Sequence, residues 1–154
     1  MATTFFSDAF DSAGNPKSVK YHESGCWTVS ASYTVAAALV INDLIKMVPV
    51  PKGARVHDVI LSASDLDTGT SIELDVGDID STDDTDRYID AALDDQGGKV
   101  GQVAGIARMD SPAGFRYQFT ENGTIDVLVK VAPETGATTG TIQLTAFLSA
   151  DDAP

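Results

Sequence analysis

The stretch Asn42–Asp78, NDLIKMVPVPKGARVHDVILSASDLDTGTSIELDVGD, decides the fold. It divides into three β-like segments. Asp43–Val50 and Ala54–Ala63 are joined by a Pro51-Lys52-Gly53 turn, and Thr70–Gly77 follows an Asp67-Thr68-Gly69 turn. In Thr70–Gly77, Ile72, Leu74 and Val76 point one way and Ser71, Glu73 and Asp75 the other, which predicts a strand with one buried and one wet face. Pro49 and Pro51 remove ladder donors, so the end of the first strand is expected at a sheet edge or leaving the sheet. In Ala54–Ala63, Val56, Asp58, Ile60 and Ser62 share one face and His57, Val59, Leu61 and Ala63 the other; apolar residues on both predict a central strand. The acidic turns are expected in solvent. No residue of the stretch belongs to a recognisable catalytic pattern.

Outward from this stretch the β signals continue. Thr28–Tyr33 alternates with β-branched residues, whereas Val35–Ile41, VAAALVI, fits a buried strand and a helical turn equally well. Residues 79–114 are the least regular, with an acidic loop, a short strand or helix over Arg87–Leu93 and a Gly-rich passage from Gly97 to Gly105. Phe115, Tyr117 and Phe119 alternate with Arg116 and Gln118, and Asn122-Gly123 then reads as a hairpin turn because both residues tolerate positive φ. Ile125, Val127, Val129 and Val131 alternate with Asp126, Leu128 and Lys130. In the last strand Ile142, Leu144, Ala146 and Leu148 share a face. Seven or eight such strands between turn signals, with no long helix, predict an all-β antiparallel sandwich of jelly-roll type. Its expected organisation is an arm or lead-in over 1–24, in which Phe5, Phe6 and Phe10 could pack, a sandwich over 25–150 and a tail over 151–154. No internal repeat points to a propeller or β-helix.

Composition narrows the function classes. The chain has 154 residues, 43% apolar and 21% charged, ordinary values for one globular domain. Ten basic residues face 23 acidic ones, a formal net charge of −13. Duplex DNA and anionic membranes repel such a surface, so neither is an expected partner. The N-terminus has neither the basic nor the apolar region of a secretory signal, which predicts synthesis in a cytoplasm. The longest apolar run, residues 35–41, is far short of the ~20 residues of a membrane helix. The single cysteine, Cys26, excludes an intrachain disulfide and is expected to be a partly buried apolar residue beside Trp27.

Enzyme constellations are nearly absent. His22 and His57 show no metal-binding spacing, no GxSxG or P-loop occurs, and no catalytic residue or cofactor is expected. His57 is expected to face solvent or hydrogen-bond within its strand. Twelve acidic residues and one basic residue, Arg87, lie between Asp65 and Asp95. Asp78, Asp80, Asp83, Asp84 and Asp86 form a candidate cation loop, since hard cations take several carboxylate oxygens. The EF-hand pattern fails there, because Thr82 occupies a ligand position and Asp83 stands where glycine is required; a solvated loop with local pairing to Arg87 is the simpler expectation. Trp27, Tyr33, Tyr88 and Tyr117 are the candidates for sugar stacking. Asn122-Gly123-Thr124 matches a glycosylation sequon that the turn already explains.

The opening stretch also resembles the jelly-roll capsid decoration, or cement, proteins of tailed bacteriophages. The shared elements are the Asn42-Asp43 strand start, the Val-Pro-Lys-Gly-Ala turn, Asp58 in the next strand, the Asp65-Leu66-Asp67-Thr68-Gly69 turn and the Val76-Gly77-Asp78 strand end. Asp84–Ile89, DTDRYI, and 139–151, TGTIQLTAFLSAD, fit as well. The resemblance implies a structural virion protein, made in the host cytoplasm, that sits on the outer capsid surface and clamps neighbouring capsid subunits. Its implied partners are the major capsid protein and itself, as a homodimer or homotrimer. The alternatives are a carbohydrate- or cation-binding jelly-roll module, or a head-fibre or tail component of the same virion.

Overall fold

The computed structural model describes residues 3–17, 25–69, 71–78, 84–90 and 105–150. These form nine strands and no α-helix: β1 (Thr4–Phe6), β2 (Cys26–Val35), β3 (Leu44–Val50), β4 (Ala54–Ala63), β5 (Glu73–Asp78), β6 (Asp84–Ile89), β7 (Gly105–Arg108), β8 (Gly123–Val131) and β9 (Gly140–Ala150). They build two sheets, one ordered β1-β3-β8-β5-β6 and the other β2-β9-β4-β7. Without β1, the orders β3-β8-β5-β6 and β2-β9-β4-β7 are those of a jelly roll, in which the chain changes sheet at every connection but β5–β6. The sequence-based fold class is therefore correct, with one addition. β1 pairs in parallel with β3, so the larger sheet is mixed.

The strands form where period-2 burial is available. In β9, Ile142, Leu144, Ala146 and Leu148 are fully buried, while Thr141, Gln143 and Phe147 are exposed. In β2, Trp27, Val29 and Ala31 alternate with Thr28 and Ser30. The inward rows of both sheets meet in one core that includes Ile45, Val56, Leu61, Leu74, Val127 and Leu144. Burying each such side chain contributes roughly 1.5–3 kcal/mol.

Several local expectations change. β4 is not apolar on both faces. A bulge at His57, between Val56 and Asp58, shifts the register against β9, so Ala54 and Val56 point inward before it and Val59, Leu61 and Ala63 after it. β5 has no wet face, since Asp75 is buried. Residues 36–43 form a turn region, not a strand or helix, and leave Val40 and Ile41 exposed. Phe115–Phe119 is not a strand: Phe115 is exposed, Arg116 takes a positive φ of 63° and Gln118 makes only an isolated bridge to Arg55. Asn122 and Gly123 do not have positive φ, so no hairpin turn forms there. Asn122 instead accepts a hydrogen bond from Lys52 N at 2.9 Å and steadies the β3–β4 turn. That turn is as expected: Gly53, at φ 87°, supplies the left-handed residue and Ala54 N donates to Pro51 O. β7 falls at the end of the Gly-rich passage, where no strand was expected. β6 begins at Asp84, ahead of the predicted element, whose last residues, 91–93, lie outside the described residues.

Two backbone features explain residues of the opening stretch. β1 reaches only to Lys46, so Pro49 and Pro51 lie beyond it, where the chain has a neighbour on one side alone. At Gly77 a side chain would collide with the Asp84 carbonyl oxygen, so β5 and β6 can approach closely only with glycine there.

Candidate assembly surfaces

The expected site residues do not converge on a catalytic or ligand-binding centre. His57 Nε2 lies 2.7 Å from Ser149 Oγ on the outside of the smaller sheet, and His22 lies outside the described residues. Cys26 is exposed, not packed inward, because it precedes Trp27 on a strand whose odd residues point to the core. The sugar-stacking candidates form no exposed platform. Trp27 and Tyr88 are buried, Tyr33 packs on Phe5, and Tyr117 packs on Phe119 beneath the Arg87 guanidinium, 4.0 Å from the ring centre.

The acidic loop is organised around that same arginine. Arg87 donates from Nε to buried Asp78 at 2.7 Å, and its Nη2 lies 3.1 Å from Asp84. Partial burial works against the Arg87 charge, but the hydrogen bond to Asp78 and the charges of Asp78 and Asp84 hold its pKa above the ordinary value. Burial pushes the Asp84 carboxyl up, and Arg87 opposes this. Asp86 is exposed, and Asp80 and Asp83 lie outside the described residues. No group of three or more potential metal ligands occurs among the described residues.

Three carboxylates that sequence reasoning passed over have structural roles. Asp67, 1% exposed, accepts backbone N–H bonds of 2.9–3.1 Å from Gly69, Ser71, Ile72, Glu134 and Thr135, and one from the Ser71 hydroxyl. Burial disfavours its charge, but the backbone donors outweigh that and hold the carboxyl well below the usual carboxylate range. The expectation that the acidic turns lie in solvent fails here. Asp67 ties the β4–β5 connection to the β8–β9 connection, two of the crossovers between sheets at one end of the sandwich. Asp43, also buried, accepts from Thr3 N and Val40 N at 2.8 Å and so ties the lead-in to the β2–β3 connection. Asp8 N donates to Ser32 O at 2.8 Å, and the Asp8 carboxylate accepts from Ser32 N at 2.7 Å. For Asp67 a sequence signal existed, since it stands two residues before Gly69, a common Asx-turn arrangement.

The lead-in uses these contacts to seal one side of the sandwich. β1 covers β3 in the larger sheet, Ser7 N donates to Lys46 O, and Asp8 then occupies Ser32 on the edge strand β2 of the smaller sheet. One short segment thus blunts an open edge in each sheet, which limits uncontrolled strand addition.

The outer faces of the two sheets are chemically unlike. On the larger sheet, Lys130 Nζ lies 2.9 Å from Asp90 and 3.5 Å from buried Asp75, and Lys46 sits opposite buried Asp126 in register. The Lys130 pKa is raised, first by its hydrogen bond to Asp90. On β2 and β9 of the smaller sheet, the outward residues are hydroxyl, amide, thiol and one phenyl side chains, with no charge among them.

No protein-family model matches the chain, and no curated protein matches it. Solved structures do. The chain is similar to one in the structure titled "Capsid of Ralstonia phage GP4", with 25% identity, a TM-score of 0.78 and coverage of 97% of this chain and 99% of that one. It is also similar in fold to a chain of "Cyanophage Pam1 capsid asymmetric unit", with 24% identity, a TM-score of 0.67 and coverage of 93% and 99%. The all-β jelly roll is thus shared, across nearly the full length of both partners, with chains found in phage capsids.

Proposed function

We propose that this chain is a structural protein of a bacteriophage virion, a decoration or cement protein that binds the outside of the capsid and stabilises it. The observation that carries the reading is the full-length likeness to a chain of the Ralstonia phage GP4 capsid, since coverage of 97% and 99% means two chains of nearly equal size and the same architecture. The sealed strand edges and the net charge of −13 support it, because both favour a protein that stays dispersed until it meets its own binding surface. Its partners in this reading are the major capsid protein and further copies of itself, and it performs no catalysis. Stabilisation then arises from many modest contacts made together around the shell, where multivalency multiplies weak individual affinities.

The test is co-sedimentation of the purified chain with expanded heads that lack it, followed by melting of the heads. Saturable binding at micromolar concentration and a raised melting temperature are expected. No binding at that concentration overturns the reading.

A further inference from the structure

The outer face of β2-β9-β4-β7 carries little net charge, and its two strands β2 and β9 carry none, the outward cation Arg55 lying on β4. The five outward residues of β2 and the five of β9 are uncharged, in a chain of net charge −13. Ser30 and Thr145 bond to each other there through their hydroxyls at 2.9 Å. On the neighbouring strands, Asp58 and Arg108 neutralise each other in an ion pair. Two apolar side chains stand out of this polar field, Phe147 at 38% exposure and Ile106 at 75%. Beside Phe147 is a shallow hollow of about 340 Å³, lined by Asp8, Ser30, Ser32, Gln143 and Thr145.

We infer that two copies of this chain pair through this face. Like charge restricts where two such copies can approach, because surface charges within a Debye length of ~8 Å repel at physiological salt. The smaller sheet presents an extended area of little net charge, since Asp58 pairs with Arg108 and Arg55 on β4 offsets Asp8 at the hollow. Hydroxyl and amide groups both donate and accept, so the face is complementary to itself, as a two-fold contact requires. Each Phe147 then seats over the partner's hollow, as a buried aromatic anchor does in other interfaces. β2 and β9 have 10 and 11 residues. At ~3.4 Å per residue and ~4.8 Å between four strands, the face offers on the order of 600 Å² per copy. Two such faces bury roughly 1,200 Å², the lower limit of a standard specific interface, so the dimer is a reversible one. This inference deepens the self-partner of the decoration reading and rests on that reading only for its biological setting.

The experiment is sedimentation equilibrium of the full chain without heads, up to about 200 μM, beside the head-binding assay. A dimer with a micromolar Kd is expected, tightening as salt rises from about 50 to about 500 mM because only the net repulsion is screened. Phe147→Asp should weaken it at least roughly ten-fold, and so should Thr145→Glu, a surface change that keeps the test open if Phe147→Asp fails to fold. Ile41→Asp, on the exposed β2–β3 connection, should leave it unchanged. A chain monomeric at the top concentration, a dimer indifferent to both face variants, or a dimer that loosens with salt overturns the inference. Heads bound by a monomer whose binding is lost on Thr145→Glu also overturn it, and assign the face to the capsid. A dimer that ignores heads leaves the inference standing and removes the decoration reading instead.

Discussion

The two sheets of this sandwich are alike inside and opposite outside. Their inward rows, Leu74, Val76, Ile125 and Val127 in one and Leu61, Ile142, Leu144 and Leu148 in the other, are equally buried. Their outward rows differ. The larger sheet carries Lys130 paired with Asp90 and with the buried Asp75, and Lys46 opposite the buried Asp126. The smaller sheet carries mostly hydroxyls and amides on β2 and β9. The difference teaches that the core pattern and the outer pattern answer different demands. The inside must exclude water from both sheets alike, whereas the outside of one sheet anchors charge and that of the other leaves β2 and β9 uncharged.

The largest expected effect comes from uncoupling the sheets at their shared crossovers. Asp67→Ala leaves five backbone N–H groups without their carboxylate, that of Ile72 buried and the other four partly buried. At about 1 kcal/mol or more for each, denaturant unfolding should show a loss on the order of 4 kcal/mol. The native Asp67 carboxyl has a lowered pKa, so its contribution is complete above the unfolded value of about 4 and is lost as pH falls through the folded value. Unfolding followed from pH 7 down to about pH 3 should therefore show a decline at the acid end that Asp67→Ala flattens.

Next come the inner faces, which should behave as equals. Leu74→Ala in one sheet and Leu144→Ala in the other, both fully buried, should each cost roughly 2–5 kcal/mol. If one proves nearly neutral, the two inner rows are not equivalent. The ion pairs should then separate by their burial under the same measurement. Arg87→Leu strips a partner from buried Asp78 and should cost roughly 3 kcal/mol. Arg108→Leu, whose side chain is 70% exposed, should cost below about 1 kcal/mol despite its ion pair with Asp58. A similarly small effect is expected at the covered edge. Asp8→Ala removes the carboxylate that answers Ser32 N and should cost about 1 kcal/mol, while raising the rate of concentration-dependent aggregation.

Much of the fold was legible along the chain, and the failures were local and physical. The alternation of Ile142–Leu148 and Ile125–Val131 identified two strands, and the prolines of 49 and 51 marked where a strand loses one neighbour. The alternation of Phe115–Phe119 did not become a strand, because Arg116 adopts a left-handed backbone and breaks the pleat. The mixed pattern of β4 concealed a bulge, since one inserted residue at His57 inverts the faces that follow. The surfaces were less legible still. Asp67 looks on paper like any acidic turn residue, and the uncharged face is visible only once β2 and β9 lie side by side.

By itself, the order of residues determined the β class, the inward rows, the turn at Gly53 and the excess of negative charge. These follow from properties with a short reach: a two-residue side-chain period, the φ freedom of glycine, and a sum over side chains. Only the tertiary structure decided which carboxylates are buried, which edges the lead-in seals and which face is left neutral. Each of those depends on partners far apart in the chain, 68 residues from Asp67 to Thr135 and 115 from Ser30 to Thr145, and so on a register that no local pattern states.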